Sequence, residues 1–169
     1  MKKIVLGIFC LFIGEIIYAQ VQKNIAGMHV TFPQEPEYTH NPYPIYMLNT
    51  EDINYIVQVL DMTDSDKLRQ IRKTASKQEI NKVERMFLDN MFKGIISTGS
   101  ITPFSIKDFD LGNRIGKHLK GVQHLEQGEV DCEIRLMVNR PKVIFFGCQM
   151  MNDSPQAHYQ KNNFFNSIR

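Results

Sequence analysis

The chain has 169 residues, of which 43% are hydrophobic and 22% are charged, and its formal net charge at pH 7 is +2. This length suits one ordinary domain. The nearly balanced charge argues against nucleic-acid binding, which needs clustered basic side chains. The densest basic stretch, residues 67–73, has apolar residues at helical spacing between its charges, so we expect a solvated helix face.

The first nineteen residues have the pattern of a cleaved secretory signal peptide. Lys2 and Lys3 precede an uncharged apolar run over residues 4–14, and Ala19 is a small residue at the cleavage point. The apolar run is too short to span a bilayer, which needs roughly 20 residues. We therefore predict cleavage after Ala19, a single mature domain of residues 20–169, no stable membrane span after cleavage, and a periplasmic or secreted location.

The segment that follows the predicted signal peptide has the pattern of three strands. Alternating apolar and polar residues predict strands at 27–33, 45–49 and 54–62. Residues 34–44 contain Pro36, Pro42 and Pro44, which exclude a helix, so we predict an ordered connector there.

The spacing of apolar residues then changes from two to three or four, which indicates a helix. Ser76 and Glu79 match a capping box, in which the two side chains satisfy free amides at a helix start. Gly94 suits the left-handed residue that follows a helix end. These signals predict a main helix over 77–93, preceded by a shorter helix.

The rest of the chain predicts four strands and a closing helix. The strands are predicted at 100–111, 114–125, 129–138 and 142–151. Pro103 places the first of them at a sheet edge or a bulge, and Ser154 with Pro155 opens a helix that ends near 167. The order predicts an α+β fold, in which an antiparallel β-sheet of about six or seven strands is flanked by a long central helix and a C-terminal helix.

One predicted strand carries charged side chains on a single face. Glu129, Asp131, Glu133 and Arg135 share that face, and neighbouring carboxylates lie about 6.6 Å apart. This spacing is compatible with acid–base catalysis of the inverting glycosidase type. Arg135 and Lys142 offer cross-strand ion pairs, so a solvated sheet face explains the same pattern and is the stronger interpretation.

Three tyrosines lie in or beside the proline-rich connector: Tyr38, Tyr43 and Tyr46. Aromatic side chains of this kind are enriched at interfaces. We predict that they form a contact surface together with the charged strand face. The alternative is that the tyrosines cover the edge of the sheet.

Two cysteines remain after cleavage, Cys132 and Cys148. If the last hairpin turns on residues 139–141, the two cysteines face each other across neighbouring strands. A cross-strand disulfide and two buried free thiols are then equal alternatives. An apolar setting raises the pKa of a free thiol, so we predict no catalytic role for either cysteine.

His118 and His124 have the same parity on one predicted strand. Six strand residues span about 20 Å, which is too far for both imidazoles to bind one metal ion. We therefore expect two solvent-facing histidines, no metal site and no cofactor.

The order of elements resembles the PsbP-like fold, which is shared by photosystem extrinsic subunits, a nuclear transport factor and many small exported bacterial proteins. The residues that carry the resemblance are Val30-Thr31-Phe32-Pro33 with Pro36, the long helix after strand three, and Phe165-Asn166-Ser167-Ile168. The resemblance implies an antiparallel sheet between helices, in a superfamily that mostly binds partners and is mostly non-catalytic. The chain departs from the photosystem subunits in having no tryptophan and no metal-ligating histidines in a recognisable context. The resemblance therefore concerns the fold and leaves the function open.

We expect a non-catalytic exported binding or accessory protein of the cell envelope, which binds a protein partner or a small ligand between sheet and helix. The alternative is a carboxylate-dependent hydrolase on the polar sheet face. It requires a concave cleft that brings Glu129, Asp131 or Glu133 together with a histidine. A third class is a chaperone-like or stress-linked accessory subunit, which an exposed apolar patch would support.

Overall fold

The computed structural model describes residues 20–62, 70–71 and 73–169. The predicted signal peptide, the predicted shorter helix and the basic stretch at 67–73 lie wholly or mostly outside these residues. The described strands are β1 (Val21–Ile25), β2 (Met28–Phe32), β3 (Glu37–His40), β4 (Pro44–Asn49), β5 (Ile53–Asp61), β6 (Ile101–Leu111), β7 (Arg114–Leu125), β8 (Gly128–Asn139) and β9 (Lys142–Met150). The long helices are α1 (Lys77–Ser97) and α2 (Pro155–Ser167).

Seven strands form one antiparallel sheet in the order β3-β4-β5-β9-β8-β7-β6, which confirms the predicted α+β fold. Strands β1 and β2 form a separate hairpin. Ala26 and Gly27 make its turn with φ angles of 51° and 81°. Left-handed values at both central residues are what a two-residue type I′ turn requires.

One face of the sheet is covered by the long central helix, and we call it the α1 face. Leu88 and Phe92 of α1 pack there in one cluster with Leu119, Ile134 and Leu136 of the strands. Helix α1 packs mainly on β7 and β6. Helix α1 therefore covers mainly the β6 and β7 side of this face.

The opposite face, which we call the α2 face, is covered by the β1–β2 hairpin and α2. Aromatic side chains join the layers, since the ring of Phe164 in α2 lies 5.4 Å from that of Phe32 in β2 and 5.1 Å from that of Tyr55 in β5. Burial of such aromatic residues contributes strongly to core stability. The sheet thus lies between two apolar layers.

Helix α1 begins where the sequence predicts. The Ser76 hydroxyl accepts from the Glu79 amide, and the Glu79 carboxylate accepts from the Ser76 amide, which completes the capping box. The helix runs past the predicted end, so Gly94 is helical and Gly99 is the left-handed residue, with a φ of 72°. The additional turn is stabilised because Ile95 and Ile96 pack against the core. None of the helices that the structure describes is long and apolar enough to cross a bilayer.

The sequence analysis missed two strands, β1 and β3. Strand β3 lies inside the segment predicted as a connector, between Pro36 and Pro42. It is the outermost strand of the sheet, where neighbouring prolines remove no ladder hydrogen bond. At the opposite edge, β6 shows the predicted irregularity as a register shift between Pro103 and Ser105.

The turn between β8 and β9 is shorter than predicted. Asn139 pairs with Lys142, so the turn consists of residues 140–141 rather than 139–141. Every pairing along the hairpin is displaced by one residue from the predicted register. Because side chains alternate between faces, a displacement of one residue moves each predicted partner to the other side of the sheet.

The observed register contradicts the predicted pairing of the cysteines. Cys132 pairs with Gln149, and Cys148 pairs with Glu133. The two thiols therefore lie on opposite faces of the sheet, where both are buried and free. Of the two alternatives from the sequence, free thiols agree with this geometry and a cross-strand disulfide does not.

We predict that Cys132 and Cys148 are both free thiols. Alkylation of protein unfolded without reductant should add one label to Cys132 and one to Cys148, whereas the folded protein should react slowly because both thiols are buried. Intact-mass spectrometry distinguishes these states. If neither cysteine takes up a label and the chain is lighter by the mass of two hydrogen atoms, Cys132 and Cys148 form a disulfide. That result would contradict the β8–β9 register.

Candidate functional site

The charged residues predicted on one strand face belong to β8, and they lie on the α2 face. Glu133 is 5% exposed, whereas Glu129 and Asp131 near the start of the strand are exposed. The expected solvated face is therefore wrong at Glu133. The reason is that α2 covers this part of the sheet, as shown by the Lys161 ammonium 3.6 Å from the Glu133 carboxylate.

Four basic side chains surround the carboxylate of Glu133. His118 Nε2 lies 2.9 Å and Arg135 Nη2 lies 3.2 Å from Oε1, while the Nζ atoms of Lys120 and Lys161 lie 3.7 and 3.6 Å from Oε2. Burial opposes ionisation, but the imidazole and the charges of Lys120 and Arg135 lower the pKa of this carboxyl to about 2. At neutral pH it is a structural anion, unsuited to protonating a substrate.

Contacts with α2 fix the position of this charged cluster. The Arg135 guanidinium lies 4.4 Å from the ring centroid of Phe165 and donates a hydrogen bond to the Phe165 carbonyl at 3.4 Å. The cavity beside Glu133 measures about 30 Å³, which is room for about one water molecule. The cluster holds α2 to the sheet and leaves no space for a substrate.

The other predicted carboxylate–histidine contact lies at the rim. His124 Nδ1 is 3.1 Å from Glu129 Oε1, and both side chains are exposed. Across residues 20–62, 70–71 and 73–169, no three His, Cys, Asp or Glu side chains converge as a metal site would require. Glu129, Glu133 and Arg135 of β8 thus form ion pairs without forming a cleft.

The predicted tyrosine anchors lie toward the far edge of the sheet. Tyr38 and Tyr46 pair across β3 and β4 with ring centroids 4.9 Å apart, and Tyr43 is half-buried in the turn between them. Burial and the neighbouring Tyr38 raise the pKa of Tyr46. Strand β4 is three strand spacings from β8, about 14 Å. The tyrosines and the β8 charges are thus separated by β5 and β9, and a contact surface that includes both stays a prediction.

A pocket between sheet and helix, whose lining residues the sequence analysis did not identify, opens on the α1 face. Because α1 packs mainly on β7 and β6, apolar side chains of β4, β5 and β9 stay half-buried on that face, including Met47, Ile56 and Phe145. The cavity measures about 350 Å³, which lies within the range of small-molecule sites. It lies between the sheet and the end of α1.

Apolar side chains form most of the wall of this pocket. They are Met47, Ile56, Ile134 and Phe145 from the sheet, with Ile95 at the end of α1 and Ile101 at the start of β6. Gly147 lies among them, and a Cβ atom there would come within 2.8 Å of the side chains of Ile56 and Phe145. The side chains of Ile56 and Phe145 fill the space that a Cβ atom at position 147 would need, so glycine is required there.

Four residues with amide side chains line the same pocket, Asn49, Asn54, Gln123 and Gln149. Three of them are joined by hydrogen bonds, and we call Asn54, Gln149 and Gln123 the amide row. Asn54 Nδ2 donates to Gln149 Oε1 at 3.2 Å, and Gln149 Nε2 donates to Gln123 Oε1 at 2.9 Å. The thiol of Cys132, beside Gln149, stays protonated because burial raises its pKa to about 11. No Asp, Glu, Lys, Arg or His is among the described residues that line the pocket. The described lining is therefore polar mainly at its amides and carries no charged side chain.

The fold is similar to that of the cyanobacterial PsbP protein CyanoP from Synechocystis sp. PCC 6803, with a TM-score of 0.56, 13% sequence identity, and coverage of 92% of this chain and 95% of that chain. A Pseudomonas aeruginosa protein of unknown function gives a TM-score of 0.46 and 10% identity over 87% of this chain and 91% of that chain. No protein-family model and no curated protein matches the sequence. The likeness to CyanoP confirms the predicted PsbP-like fold, and at this identity it concerns the fold alone.

The charged cluster gives a prediction about stability and pH. Lowering a carboxyl pKa from 4.5 to about 2 in the folded state corresponds to about 3 kcal/mol of stability at pH 7. We expect Glu133→Gln to lose most of that amount. Because the folded-state pKa is the lower one, this stability is present above the unfolded-state pKa and is lost as the pH falls through the folded-state value.

The difference in unfolding free energy between the native chain and Glu133→Gln should therefore shrink from about pH 4.5 to about pH 2. Urea unfolding at a series of pH values measures it. The exposed Glu129→Gln serves as the control and should show a small, nearly constant difference. A large difference for Glu133→Gln that persists at pH 2 would contradict the assigned ion pairs.

Proposed function

We propose that this chain is a non-catalytic, exported accessory protein of the cell envelope that binds a small molecule in the pocket on the α1 face. The observation that carries the proposal is the cavity of about 350 Å³ between sheet and helix, with an apolar wall and a row of hydrogen-bonding amides. Concave apolar sites with a few oriented polar groups are typical of ligand binding. The PsbP-like fold fits an accessory role, since most of the superfamily that the sequence resembles is non-catalytic.

The hydrolase alternative finds less support. It needs a carboxyl group that can give up a proton near neutral pH and a cleft beside it. Glu133 is ionised and ion-paired next to a cavity of about 30 Å³, and Glu129 lies at the exposed rim. Neither carboxylate is placed to act on a substrate.

A protein partner at the β3 edge is the second candidate. The specific observation is that Tyr38 is 54% exposed on an outermost strand, with its ring centroid 4.9 Å from that of Tyr46. Edge strands offer unpaired backbone groups to a second chain. This surface is distinct from the pocket, so one protein can use both.

The pocket proposal predicts binding of the neutral apolar dye N-phenyl-naphthylamine. Met47→Trp should weaken this binding about tenfold or more, because an indole would fill space in the cavity. Ile45→Trp is the matched control, since residue 45 is also half-buried on the α1 face of β4 and does not line the pocket. Fluorescence titration measures both, and equal affinity in the two variants would place the dye elsewhere.

The export proposal predicts a mature protein that begins at Gln20 in the envelope or extracellular fraction, as read by mass spectrometry. Ala19→Arg should leave the precursor uncut, because the processing site requires a small residue at that position. Gln22→Arg, beyond the cut and exposed, should be processed normally. A native protein that keeps residues 1–19 in the cytosolic fraction would contradict export.

A further inference from the structure

We propose that the pocket on the α1 face selects uncharged amphiphilic molecules, with an apolar body against Ile56, Ile134 and Phe145 and a neutral hydrogen-bonding group on the amide row. This inference rests on the proposed function, because it names the class of ligand that the same pocket would hold. It makes two separate claims. The first concerns the charge of the ligand, and the second concerns its polar group.

The exclusion of charge follows from what lines the cavity. An ion that leaves water needs a counter-charge or a dense set of hydrogen bonds to offset the loss of hydration. On the α2 face the chain supplies such counter-charges, since Glu133 lies within 3.7 Å of four basic side chains. The described lining of the α1-face pocket offers none. A charged ligand would lose its hydration there without compensation.

The preference for a polar group follows from the amide row. Gln149 accepts from Asn54 and donates to Gln123, so the three amides form one directed chain of hydrogen bonds. Within the described part of the molecule, Asn54 Oδ1 and Gln123 Nε2 have no protein partner. One end of the row thus offers an acceptor and the other offers a donor. A hydroxyl, carbonyl or amide group can bind to either end, which a pure hydrocarbon cannot do.

The test of charge uses two dyes that differ by one group. N-phenyl-naphthylamine is neutral, and anilinonaphthalene sulfonate has the same ring system with an added anion. The native protein should bind the neutral dye about tenfold or more tightly, because the sulfonate would be desolvated without a partner. Gln149→Lys should reverse or remove this preference by supplying a cation, whereas Gln58→Lys, on the same face of the sheet and outside the lining, should leave it unchanged.

The test of the polar group uses competition against bound N-phenyl-naphthylamine. Naphthol should displace the dye at about 3- to 10-fold lower concentration than methylnaphthalene, as one additional hydrogen bond predicts. Circular dichroism and thermal unfolding identify any variant that fails to fold, and the comparisons on the native protein need no variant.

The possible results separate the two proposals. If neither dye binds, or if Met47→Trp changes neither affinity, the pocket is not a ligand site and the proposed function is wrong. If both dyes bind with equal affinity and both lose affinity in Met47→Trp, the ligand site stands and the selection against charge is wrong. Equal competition by naphthol and methylnaphthalene would overturn the role of the amide row alone.

Discussion

The register of the β8–β9 hairpin determines which chemistry appears on which side of this protein. Asn139 pairs with Lys142 across a two-residue turn, and that pairing assigns every side chain of the two central strands to a face. With this register Glu133 lies under α2, while Cys132 lies in the pocket of the opposite face. A shift of one residue would exchange the two sets. Neither the charged cluster nor the neutral pocket would then exist.

The register places charged side chains on one face of the sheet and uncharged polar side chains on the other. On the α2 face, a buried carboxylate of β8 is stabilised by basic side chains from β7, from β8 itself and from α2. On the α1 face, the polar groups of the pocket are amides and a protonated thiol. Buried ions depend on fixed partners, whereas amides can exchange a partner for water or a ligand at small cost. The first arrangement therefore suits structure and the second suits reversible binding.

The features that depend on short-range sequence signals were predicted correctly. The features that depend on which element packs over a strand were missed. The capping box at Ser76, the proline at the β6 edge and the strand alternation all act within a few residues, and the structure confirms them. Glu133 is buried because α2, about thirty residues further along the chain, packs over it. The alternation of side chains within β8 alone therefore predicted a solvent-exposed carboxylate. The hairpin register failed for a different reason. Asn139-Arg140-Pro141 supports a turn of two or of three residues, and tertiary packing makes the choice.

The sequence analysis expected a ligand site between sheet and helix, but the residues that line the pocket could not be predicted because they depend on where α1 packs. Helix α1 has 21 residues and is therefore about 32 Å long, yet it packs mainly along β7 and β6. Within residues 20–62, 70–71 and 73–169, the topology thus leaves the α1 face of β4, β5 and β9 less covered than that of β6 and β7. The amides of Asn54, Gln149 and Gln123 are single side chains within those strands. The fold consequently sets where the pocket opens, while a few uncharged residues set the polarity of its wall.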